Sequence, residues 1–179
     1  AGIWVAVDGT TGPTALRAVA AAGPAVLAEQ GTTWWEAFVG RVPGALAGTS
    51  KLGCALGALV LLHQRVASWR TLLAVLLGAA AAGVLLPGPG PGEHLLLGGL
   101  AFGAVFLATD PFTSPMTELG RWLHGALVGA LVVLIRVANP VHVEGVFLAI
   151  LFGNVCAPLL DHAVTRLHIH RRRRRLGPA

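Results

Sequence analysis

Residues 7–16 read VDGTTGPTAL, gathering three threonines, an aspartate, two glycines and a proline at the head of a chain that is otherwise mostly aliphatic. Thr14 follows Gly12-Pro13 and opens an apolar stretch, so its hydroxyl stands beside the unpaired N–H groups of a helix N-terminus. A phosphate ester on that hydroxyl would be stabilised by those donors and by the helix dipole. Gly12 leaves room for an enzyme to approach, and Pro13 stiffens the entry. The spacing alone describes an ordinary capping threonine equally well.

Acidic residues are few, and three of them stand at the ends of apolar runs: Asp110, Glu144 and Asp161. Glu144 and Asp161 are seventeen positions apart, roughly 25 Å along a helix, too far to share one ion. They could flank the two ends of a path for Na⁺, a hard cation that prefers oxygen ligands. Interfacial charge at helix ends is the plainer alternative. The seven histidines show no spacing of a metal cage and are expected to be interfacial or structural, so no metal site is assigned. Cys54 and Cys156 lie in separate apolar runs, which argues against a disulfide. The stretch TDPFTSPMT (109–117) has hydroxyls but no nucleophile elbow, and no catalytic residue is assigned.

The elements that must position these groups follow from composition. The 179 residues are 55% hydrophobic and 12% charged, with a mean hydropathy of +0.72, outside the range of ordinary soluble domains. Apolar runs fall near 49–64, 69–87, 94–109, 121–138 and 144–161, each close to the ~20 residues that cross a bilayer core. No alternating strand pattern accompanies them, so the expected fold is an all-α integral membrane protein with about five transmembrane helices. The pairs Gly53/Gly57, Gly99/Gly103 and Gly125/Gly129 suit close helix packing. The chain opens at Ala1-Gly2-Ile3-Trp4, without an initiator methionine or signal-peptide pattern, and a piece of a longer protein is expected.

The formal charge of +5 is concentrated in Arg171–Arg175. A basic run after an apolar helix marks a cytoplasmic end and contact with membrane lipid; a nucleic-acid partner is not expected. Counting back through five spans puts loops 63–70 and 110–121 inside and loops 87–94 and 138–144 outside, with Arg136 a mild exception to the charge rule. Residues 1–48 then form an outer-face loop and interfacial helix, the latter broken near Gly23-Pro24. Trp34 and Trp35 suit an aromatic belt. Residues 49–162 form the membrane region and 163–179 a basic cytoplasmic tail.

VDGTTGPTAL resembles the flavinylation motif, Asp-x-x-Ser/Thr-Gly-Ala-Thr, of a family containing the NqrB component of the sodium-translocating NADH:quinone reductase and the RnfD component of the Rnf complex. Further likenesses follow in order: VPGALAGTS (42–50), RVASWR (65–70), HLLLGGLAFGAVFLATDP (94–111), GRWLHGALVGALVVLIRVANP (120–140) and EGVFLAILFGNVCAPLLDH (144–162). They correspond to the C-terminal half of such a protein. Most of these blocks look more like the reductase component, whereas GALAGTS leans towards the Rnf one. Pro13 stands where Ala is usual, and Gly48 where a glutamate is common.

The resemblance implies FMN joined by its phosphate to Thr14 within the motif residues Asp8, Thr11 and Gly12, attached by a flavin transferase on the outer face. It implies electron transfer toward ubiquinone coupled to Na⁺ export in a bacterial inner membrane, alongside the other Nqr subunits. A non-covalent riboflavin is implied too, its pocket largely in the other half of the protein. Acids matching the positions of Asp110, Glu144 and Asp161 are linked in the family to sodium uptake. A transporter or structural membrane component without redox work is the alternative from another class.

Overall fold

The computed structural model describes residues 16, 19, 23, 33–41, 50–88, 90–139 and 145–176, with side chains described through 172. All regular structure among them is helical, as expected for an all-α membrane protein. Thr14 and its motif partners Asp8, Thr11 and Gly12 lie outside the described residues, as do Pro13, Gly48 and Glu144.

A short helix, α1 (Trp34–Val39), begins at a reciprocal capping box: Thr33 Oγ1 accepts from the Glu36 amide at 3.3 Å, and the Thr33 amide donates to Glu36 Oε2 at 2.9 Å. Gly40, at φ 98°, ends it. Trp34 and Trp35 are exposed, and Trp35 stacks on Phe38. Upstream, Leu16 and Val19 are helical and buried, while the Gly23 amide closes onto Val19 O at φ +85°, at the expected break.

Serines start the next two helices: Ser50 caps α2 (Lys51–His63) and Ser68 caps α3 (Trp69–Leu85). The expected third span does not form one helix. It divides into α4 (Pro91–Leu96) and α5 (Leu100–Phe102), the latter continuing as a π-helical turn, Gly103–Leu107. Gly98 supplies the physical reason, because its φ of +72° is a left-handed conformation that interrupts a right-handed helix and is open to glycine.

Two long helices complete the bundle. Thr117 caps α6 (Glu118–Ala138), and α7 (Val146–Leu176) continues without interruption past residue 162 into the basic segment. The expected boundary at 162 is thus a change of composition and not of backbone. By length and composition, α6 and residues Val146–Arg172 of α7 can cross a membrane; α2 and α3 are shorter apolar helices.

Packing fixes the relative directions. The starts of α3 and α6 meet through Arg70–Glu118 at 2.5 Å and the Trp69–Trp122 edge contact, and Gly129 further along α6 packs on Val75 and Ala79. These helices therefore run parallel. Helix α7 runs antiparallel to α6, with Gly145 against Ile135 at one end and Asp161 against Thr117 at the other. Both relations agree with the alternation counted from the loops.

Lipid removes the ordinary hydrophobic drive between helices, so close approach of backbones must hold the bundle together. A Cβ on Gly125 would stand 2.6 Å from Thr71 O, and one on Gly129 would collide with Val75 O. This pair makes the α3–α6 joint, under a core of Val75, Ala79, Val128, Val132 and Val133. In the other two pairs Gly57 packs against Phe106, and Gly103 against Val146 and Ile150. Cys54 and Cys156 are both free thiols.

Candidate functional site

The polar features of the bundle gather at its two ends. Where α6 begins, Asp161 reaches across from α7. Its Oδ2 accepts from the Met116 amide at 2.7 Å, and its Oδ1 from the Thr117 amide at 3.0 Å and the Thr117 hydroxyl at 2.5 Å. Thr117 Oγ1 in turn accepts from the Gly120 amide at 3.1 Å. The carboxylate therefore sits at the positive end of α6, where a negative charge is stabilised.

The approach to this end is a tight turn. Asp110 holds the Phe112 amide at 3.4 Å and the Thr113 hydroxyl at 2.9 Å. Arg121 donates from Nε to Pro115 O at 3.1 Å. Asp110 and Asp161 thus shape neighbouring parts of one connection, residues 110–117. In this arrangement both are occupied with protein donors.

At the opposite end of α6, Arg136 is 4% exposed. Its Nη1 donates to His94 O at 2.6 Å and its Nη2 to Leu97 O at 3.3 Å. These carbonyls belong to the end of α4 and the break that follows, where orphan acceptors collect. The charge-rule exception is thereby explained: Arg136 is not a loop charge but a buried donor turned onto backbone carbonyls. The sequence carried a signal for it, a lone arginine near the end of an apolar run.

Two histidines are also fully enclosed. His94 and His124 are 1% and 0% exposed, whereas His63, His162, His168 and His170 are exposed. The ring of His124 lies against Gly153 of α7, where a Cβ would come within 3.2 Å of Cε1. Among the described residues, no group of three potential ligands converges as a metal centre.

Between α2, α3 and the broken segment lies a cavity of about 540 Å³, lined by Cys54, Ala58, Leu72, Leu95 and Val105 among others, with Lys51 at its wall. Its nearly hydrocarbon lining suits an alkyl or isoprenoid chain better than a flavin ring with its polar edge.

Apolar helices, glycine-mediated joints, a broken segment and a buried arginine define an all-α protein of the membrane. Residues 1–170 match the model of the NQR2, RnfD, RnfE family, and the chain belongs to that family. It is 46% identical over 180 residues to the NqrB component of the Na(+)-translocating NADH-quinone reductase of Ectopseudomonas mendocina, covering 95% of this chain and 45% of that protein. It is 45% identical over 183 residues to the corresponding protein of Chromohalobacter salexigens (97% and 44%). For that of Pseudomonas aeruginosa the figure is 44% over 185 residues (98% and 46%). The chain spans slightly less than half the length of these relatives.

Proposed function

We propose that this chain forms the C-terminal half of the NqrB component in a sodium-translocating NADH:quinone reductase, with FMN carried on Thr14. The observation that carries the reading is 46% identity over 95% of the chain to a relative bearing that component's name. The family match, over residues 1–170, includes VDGTTGPTAL. As a phosphoester, Thr14 would anchor the cofactor at a helix start, where amide donors favour phosphate. Asp8, Thr11 and Gly12 would present the motif to a separate flavin transferase. When bound, the flavin supplies the electron chemistry on the way to ubiquinone, with a second, non-covalent riboflavin elsewhere in the protein.

The chain's own residues then provide scaffold and route. Arg171–Arg175 set the cytoplasmic end, which puts Thr14 on the outer face of a bacterial inner membrane. Glu144 stands at the outer end of the proposed Na⁺ route, and Asp110 and Asp161 at the inner end. Asp161 would have to exchange protein donors for an ion before ligating one directly, so its main contribution here is to hold the 110–117 connection against α6. The remaining Nqr subunits complete the electron path, with lipid around the apolar faces.

The test is covalent flavin itself. The wild-type chain, made alongside its transferase and denatured on a gel, is expected to fluoresce as a flavoprotein, and Thr14→Ala is expected to be dark. An unlabelled wild type under those conditions would overturn the redox reading and favour a membrane component without flavin work.

A further inference from the structure

The break between α4 and α5 joins several unusual features. Gly98 adopts a left-handed φ of +72°, and the segment resumes as a single α-turn followed by a π-helical turn. Such turns mark places where a helix has given up its regular bonding, frequently at functional sites. The carbonyls released at the end of α4 point their negative ends into an apolar bundle, a costly arrangement without donors. Arg136 supplies two, one to each side of the break: His94 O within α4 and Leu97 O beyond it. Gly83 of α3 closes on Pro91 from the other flank, where a Cβ would stand 3.1 Å from Pro91 Cα. Helix α4 is thereby seated on α3 and tied to α6.

The chemistry of the contact selects arginine. Two carbonyls three residues apart are taken by separate nitrogens of one planar fork, which the single ammonium of lysine cannot reproduce in the same geometry. A carbonyl-terminated helix end also attracts diffusible cations, and a passing ion must not be held too tightly if it is to leave. A guanidinium fixed on those oxygens neutralises the attraction and repels a second monovalent charge.

We propose that Arg136 is a positioning residue for ion passage through this protein, its guanidinium acting as a built-in cation that holds the α4–α5 break in one geometry. The inference rests on the ion-translocating function proposed above. It concerns how the broken segment is held and adds no ligand to the ion route.

The test uses the whole membrane complex reconstituted in phospholipid vesicles, with wild type, Arg136→Lys, Arg136→Gln and Arg136→Gly compared. Two quantities are read: Na⁺ moved per NADH oxidised, and hydrogen exchange of the amides at residues 97–100. Arg136→Gln is expected to lower the ratio about fivefold or more, a typical size for coupling between sites, and to accelerate exchange at Gly98 and Gly99. Arg136→Lys should fall between it and wild type. Guanidinium chloride at millimolar concentration should restore the ratio and the protection in Arg136→Gly, while choline should not.

A wild-type ratio and wild-type exchange in Arg136→Gln would overturn the proposal. Rescue of Arg136→Gly by choline as effectively as by guanidinium would overturn it too, since any cation would then serve. If Arg136→Gln fails to assemble, Arg136→Lys decides by the same two readouts. A wild-type complex that oxidises NADH without moving Na⁺ would instead defeat the ion-translocating function, while exchange and guanidinium rescue would still report whether Arg136 holds the break.

Discussion

Asp161→Ala gives a sharp separation between a carboxylate that holds helices together and one that binds an ion. The side chain accepts two backbone amides and one hydroxyl, at 2.7, 3.0 and 2.5 Å, across the joint of α6 and α7. Capping bonds of this kind contribute about 1–2 kcal/mol when water can partly replace them. Thr117 keeps its own bond to the Gly120 amide, so the start of α6 is weakened and not abolished. At roughly 2–4 °C per kcal/mol for a chain of this size, the thermal midpoint should fall by about 2–8 °C. Asp161→Asn, which retains an oxygen acceptor but loses the charge facing the helix dipole, should lose about half as much.

Scanning fluorimetry in detergent gives the midpoint, and hydrogen exchange at Met116 and Thr117 locates the change. Both effects should be the same with Na⁺ or K⁺ as the salt. The reasoning is refuted if exchange at those amides is unaltered, or if wild-type stability rises with Na⁺ and Asp161→Ala loses only that increment. Either result would mean that the carboxylate's principal partner is an ion.

Gly129→Ala should destabilise by about 1–3 kcal/mol through overpacking, because its Cβ would meet Val75 O and the Ala79 amide; Gly92→Ala, with nothing within 4 Å, should change the midpoint little or raise it slightly. At α1, hydrogen bonds from the Thr33 amide and hydroxyl hold the Glu36 carboxyl below its ordinary value. A depressed carboxyl supports its helix above the unfolded value and loses that support as pH falls, so the α1 cap should be present near neutrality and fade below about pH 4.5. With the other tryptophans replaced, Trp35 emission should report the transition, and Glu36→Gln should remove its pH dependence.

The apolar runs made α2, α3, α6 and α7 legible because length and composition alone determine whether a helix suits a bilayer. The broken segment was not legible in the same way. Residues 94–109 are apolar almost throughout, and the Gly98-Gly99 pair is a local sign of a break within them; the positive φ of Gly98 separates it from Gly125 and Gly129, whose task is close packing. Asp161 was visible as an acid near a helix end, but its partners stand 44 and 45 residues earlier, a pairing that only the antiparallel packing of α6 and α7 creates. Arg136 registered as an irregularity in loop charge because its acceptors are backbone carbonyls, which every residue carries and no motif records. Thr14 was read from its motif and lies outside the described residues.

The unbroken run of α7 changes what its arginines can reach. Thirty-one helical residues extend roughly 46 Å, against about 30 Å for the oily slab they traverse. Some 15 Å is left over, and the arginine-bearing turns occupy its far tip. The headgroup layer fills about the first 5–8 Å of that length, and electrostatic attraction in physiological salt fades over about 8 Å, so a stiff post of this length carries the arginine-bearing turns just through the headgroups and no farther than their reach. The cluster can guide insertion while the chain is being threaded, and afterwards the same rigid helix keeps it at the water edge of the headgroup layer.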